Sequence, residues 1–85
     1  MSKSAFPIFM KEAVEKIITA LVSDKEAVEV SEIVRDKSAV FQVRVGMGDM
    51  GRIIGREGRT IKAVRSLLFY AGQKQGKRFV LDLVE

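Results

Sequence analysis

Residues 53–62 read Ile53-Ile54-Gly55-Arg56-Glu57-Gly58-Arg59-Thr60-Ile61-Lys62. Two glycines enclose two charged residues, and apolar residues lie on both outer sides. Glycine adopts positive φ without steric cost, so Gly55 can end one helix and Gly58 can start the chain into the next. Upstream, Met50, Ile53 and Ile54 have helical spacing, which predicts a short helix from Asp49 to Ile54 with Asp49 as its N-cap. Downstream, Ile61, Val64, Leu67, Leu68 and Ala71 predict the buried stripe of a longer helix, from Arg59 or Thr60 to Ala71. Arg59, Lys62 and Arg65 recur every third residue and share a different face of it.

Further out, Phe9, Ala13, Ile17 and Leu21 alternate by helical turns with Lys11, Glu12, Glu15 and Lys16. They predict an amphipathic helix over residues 7–22, with Pro7 in its first turn. Val28 and Val30, then Phe41, Val43 and Val45, alternate with polar residues and predict strands over 27–35 and 39–46. Asp36-Lys37-Ser38 joins them as a hairpin. Gly72 and Gly76 bracket a polar loop, and Phe79, Leu81 and Leu83 mark the inward face of a last strand over 78–84. Phe41, Phe69 and Phe79 are read as core. The order is α-β-β-α-α-β. The hairpin makes its strands antiparallel, whereas the helical connection from residue 46 to 78 favours parallel neighbours. The expectation is an α+β fold with a mixed three-stranded sheet and helices on one face.

The chain has 85 residues, no histidine and no cysteine. Disulfides, zinc sites of the Cys or His kind, Cys nucleophiles and Ser-His-Asp triads are therefore excluded. No cofactor is implied, and no paired buried acids suggest general acid–base catalysis, so a non-enzymatic role is expected. The N-terminal stretch is interrupted by Pro7, Lys11 and Glu12 and does not resemble a secretory leader, and no run is apolar enough to cross a bilayer. A cytoplasmic protein without membrane contact is the expectation. The net charge of +4 is unevenly spread. Residues 1–43 carry six basic and seven acidic side chains, and residues 44–85 carry nine basic and four acidic. The second half is a candidate surface for a polyanion.

Two other glycine patterns do not carry the chemistry they suggest. Gly46-Met47-Gly48-Asp49-Met50-Gly51 fits the dinucleotide-binding spacing, but the following helix is cut at Gly55 and no acidic residue closes a second strand. Gly58-Arg59-Thr60 lacks the earlier glycine and the lysine of a P-loop.

The GXXG of residues 55–58, joining a short apolar helix to a longer basic one with strands on both outer sides, resembles the KH domain family. The element order resembles its prokaryotic, type II variant. With residues 7–84 covered and residues 1–85 read as one domain, the chain is similar to the small stand-alone bacterial KH proteins. That resemblance implies single-stranded RNA as partner, with a footprint of about four nucleotides per domain. It implies a binding site made of Ile53, Ile54, Gly55, Arg56, Glu57, Gly58, Arg59, Thr60 and Lys62. In this reading the amides of residues 55–58 and the N-terminus of the long helix receive phosphates, with Arg56 and Arg59 adding charge. The resemblance implies an apolar groove for the bases shaped by Ile53, Ile54, Ile61 and Val64, of which Ile53 is the better groove candidate and Ile54 and Val64 are expected in the core instead. Glu57 departs from the usual pattern by putting a negative charge in the clamp. An RNA chaperone or post-transcriptional regulator is implied, or else an interaction adaptor with vestigial RNA binding. The resemblance also implies a homodimer, or a heterodimer with a larger KH-containing protein. Leu68, Phe69 and Tyr70, too many to bury on one side, offer a hint of the contact face.

Overall fold

The computed structural model describes residues 6–84. Helix α1 spans Phe6–Leu21. Val14 and Ile18 on its inner face are fully buried, and Met10, Ile17 and Leu21 pack beside them. The expected place of Phe9 in that stripe falls outside the described side chains. Strands β1 (Glu29–Val34) and β2 (Ser38–Arg44) form the antiparallel hairpin, closed by the Arg35 amide donating to the Ser38 carbonyl at 2.7 Å. Helix α2 (Met50–Ile54) and helix α3 (Arg59–Gln75) then lead to strand β3 (Arg78–Val84), which lies parallel to β2. The sheet order is β1-β2-β3, so β2 is central.

Period-two alternation fixes which side of the sheet is covered. Val30, Ala39, Phe41, Val43, Phe79 and Leu81 point to the helices and are buried. Phe41 and Phe79 meet edge to face, with centroids 5.8 Å apart. On the other side, Ile33, Val40 and Val80 stand in register across the three strands, with Ile33 and Val80 exposed. The expected mixed sheet with helices on one face is therefore present.

The long helix departs from expectation at its C-terminal end. It continues through Gly72 to Gln75, so Gly72 is helical and buried rather than part of a loop. A Cβ at Gly72 would collide with the Lys77 carbonyl oxygen and come within 3.3 Å of the Phe79 amide nitrogen. Glycine here lets α3 lie directly against the start of β3. The helix ends at Gly76, in the left-handed conformation with φ 69°. The Lys77 amide bonds the Gly72 carbonyl at 2.8 Å and the Gly76 amide bonds Gln73 at 3.3 Å, a Schellman closure. Around the helix, Ile61, Val64, Leu68 and Gly72 make the buried stripe. Leu67 lies about 100° from Leu68 and is 60 % exposed, and Phe69, on the other flank of the stripe, is 51 % exposed. Neither is core, contrary to expectation.

Candidate nucleic-acid interface

The link between α2 and α3 is a single tight turn. Gly55 has φ 79° and ψ 169°, a conformation reserved for glycine. A Cβ there would collide with the Thr60 side chain and come 2.7 Å from the Thr60 backbone nitrogen. Thr60, expected in the site, therefore acts inside the turn as the wall that requires Gly55. Glu57 and Gly58 both take left-handed conformations, with φ 57° and 75°. The Gly55 amide bonds the Gly51 carbonyl at 2.8 Å, and the Gly58 amide bonds the Gly55 carbonyl at 3.1 Å. These two amides are used internally. The expectation that all four amides of residues 55–58 are open to a ligand therefore fails at Gly55 and Gly58, while the Arg56 and Glu57 amides take no part in the backbone bonds that tie the loop.

Arg56, Glu57 and Arg59 are exposed around this turn. The Arg59 guanidinium lies 3.6 Å from the Glu57 carboxylate, so the acidic residue in the loop occupies its neighbouring cation. The Lys62 side chain leans back toward Gly58, its Cε 3.7 Å from where a Cβ would stand.

The two isoleucines before the loop exchange the places expected of them. Ile53 is fully buried in the core and Ile54 is 40 % exposed. Helix α2 has only five residues, and packing of Met50 and Ile53 one turn apart against the core sets its rotation. Ile54, about 100° further round, emerges at the surface. With Val45, Met47 and Met50 it lines an apolar pocket of about 510 Å³ next to the loop. Ile61 and Val64 are core. From the sequence, Val45 and Met50 carry only the periods of a strand and a short helix, and Met47 carries no assignment, so none of the three is expected at the site. The one sequence signal for a groove wall there is the apolar Met47 between Gly46 and Gly48, just after a strand, and the structure leaves it 94 % exposed.

Asp49 does not cap its own helix. Its buried carboxylate reaches back to the end of α1, accepting hydrogen bonds from the Ser23 amide at 2.9 Å and the Asp24 amide at 3.0 Å. Arg52 adds an ion pair at 3.4 Å. Amide donors at Asp24 and Ser23 hold this carboxyl below its ordinary value of 3.8, against the opposing effect of burial, with Arg52 helping. A negative charge bonded by two amides is a stronger tie than a neutral cap. It fixes the turn at Met47–Asp49, and hence the start of α2, to the rest of the fold.

A GXXG turn between a short and a long helix, set on a three-stranded sheet with this order, defines a KH domain. Residues 11–83 match the family described as KhpA/KhpB, KH domain. The chain is 40 % identical over 76 residues to a protein of Aquifex aeolicus, covering 89 % of this chain and 96 % of that one. It is 42 % identical over 76 residues to a protein of Halalkalibacterium halodurans, covering 89 % and 100 %. For a protein of Clostridium acetobutylicum the identity is 36 % over 75 residues, covering 88 % and 100 %. Each of these relatives is called RNA-binding protein KhpA. No solved structure matches with significance. The chain belongs to the KhpA/KhpB family of KH domains.

Among the described residues, no group of three or more His, Cys, Asp or Glu could hold a metal ion, and no helix is long and apolar enough to cross a membrane.

Proposed function

We propose that this chain binds short single-stranded RNA, with the phosphate backbone on the loop at residues 55–58 and bases in the adjoining apolar pocket. The observation that carries this reading is a loop whose backbone bonds do not use the Arg56 and Glu57 amides, with Arg56, Arg59 and Lys62 around it and the apolar pocket of Val45, Met47, Met50 and Ile54 adjoining. Amides and cations suit phosphate oxygens, while an apolar wall suits a base that is not paired. The names of the relatives support the same ligand class. A site this small, read without polar side chains in its pocket, suits an RNA chaperone or post-transcriptional regulator of broad sequence tolerance, acting in the cytoplasm and without catalysis.

The partner proposed beside RNA is a second copy, or a larger KH-containing protein. Exposed apolar groups away from the loop support it: Leu67 on α3, and Ile33 and Val80 on the uncovered sheet face. Linking two weak RNA sites raises avidity without new contacts. If the chain is instead an adaptor, light scattering will show strong association while RNA titration shows no response.

The test of the RNA reading is the double variant Arg56→Asp, Glu57→Asp. Aspartate tolerates the left-handed conformation at position 57, so the circular dichroism spectrum should not change. Affinity for a labelled single-stranded RNA, read by fluorescence anisotropy, should fall at least tenfold. Wild-type affinity in the variant would refute the loop as the phosphate site.

A further inference from the structure

A second groove, of about 320 Å³, runs between α3 and β3 and is lined by Arg65, Ser66, Phe69, Tyr70, Arg78 and the strand residues beside Arg78. It lies along the free edge of the sheet, because β3 is an outer strand. Its lining contains two arginines and no carboxylate. Neither arginine is ion-paired among the described residues. The Arg65 Nε donates to the Leu81 carbonyl at 3.3 Å, which orients the guanidinium and leaves its terminal amino groups for an outside acceptor. Phe69 and Tyr70 are 51 % and 65 % exposed, and their rings meet edge to face with centroids 5.5 Å apart. Exposed rings next to unpaired arginines are what a single strand uses when it stacks a base and neutralises the adjoining phosphates.

The groove is also connected to the loop. Arg59, Lys62 and Arg65 follow one another at every third residue down α3, a run of about 9 Å along the axis. Lys62 leans toward Gly58 at one end, and Arg65 borders the groove at the other. Cationic side chains thus form a track from one to the other without an intervening acid on that row.

We infer that this groove is a second contact for single-stranded RNA, in which a base stacks on Phe69 or Tyr70 and flanking phosphates sit on Arg65 and Arg78. The inference rests on the RNA reading of the loop and extends it. The ligand is a strand longer than the roughly four nucleotides that one KH loop holds, running from the loop along the cationic row into the groove.

The experiment compares a labelled tetranucleotide and a dodecanucleotide of uridine on the intact chain. The variants are Phe69→Ala, Arg78→Glu combined, Phe69→Ala alone as the milder change, and Arg56→Asp, Glu57→Asp in the loop. Each is checked by circular dichroism and light scattering. The groove variants should weaken dodecanucleotide binding about tenfold for the loss of stacking and leave the tetranucleotide unaffected. The loop variant should weaken both. Groove variants that bind both RNAs like the wild type, while the loop variant loses both, overturn the inference and spare the loop reading. A wild-type chain that binds neither RNA overturns the loop reading and the inference with it. A groove variant that dissociates a dimer with RNA affinity unchanged assigns the groove to a second copy and also overturns the inference.

Discussion

Glu57 is the residue least suited to the phosphate contact proposed for the loop. Its carboxylate holds the Arg59 guanidinium 3.6 Å away, in a pair that is mostly exposed. Such a pair is worth at most about 1 kcal/mol, so it is easily exchanged for phosphate but opposes that exchange. Glu57→Gln should therefore raise RNA affinity by about two- to fivefold in an anisotropy titration, and unchanged affinity would mean that Arg59 does not contact phosphate. Asp49 gives a prediction in pH. Its folded carboxyl titrates below the ordinary 3.8, so its stabilising contribution is complete above that value and is lost as pH falls through the lower, folded one. Asp49→Asn should unfold at lower temperature at neutral pH, and its loss of stability on acidification below 3.8 should be shallower than in the wild type. Parallel curves for the two proteins would show that the carboxylate makes no net contribution. At this scale the loop glycines were legible, since positive φ leaves few alternatives to glycine. The partition of Ile53 and Ile54 was not, because a five-residue helix has too few apolar positions to define its rotation. Nor were the bonds from Asp49 to Ser23 and Asp24, which join residues 25 and 26 positions apart with no local signature.

Each element was visible in its hydrophobic period, and the strand faces followed from alternation because only one side of the sheet is covered. The end of α3 was read too early. Glycine costs about 1 kcal/mol in a helix interior relative to alanine, so a sequence with Gly72 and Gly76 reads as a loop. The close approach of Lys77 and Phe79 reverses that judgement, and it is a tertiary fact. Gly72→Ala, favourable by helix propensity alone, should instead destabilise the fold by about 1–3 kcal/mol through overpacking, read as a lower midpoint in urea. A stabilised variant would show that α3 and β3 can separate at little cost. Leu67 and Phe69 were misplaced for a related reason. The apolar run around Leu68 is wider than the face that α3 turns to the sheet, and sequence alone does not say which members are left outside.

For the whole molecule, the order α-β-β-α-α-β brings the loop, the apolar pocket and the cationic row of α3 onto a chain whose first half is nearly neutral in charge. Binding by Arg56, Arg59 and Lys62 alone implies a slope of about −2 for log affinity against log salt, steepening to about −3.5 if Arg65 and Arg78 also engage phosphates. A salt-independent affinity would exclude both. The central claim, that RNA sits on the amides of Arg56 and Glu57 with bases against Val45, Met47, Met50 and Ile54, is tested most directly by a nitrogen-15 amide NMR titration with single-stranded RNA. The account predicts that the largest shifts fall on Arg56 and Glu57 and spread to the residues lining that pocket. Shifts confined to the uncovered sheet face, with those two amides unmoved at saturating RNA, would contradict it.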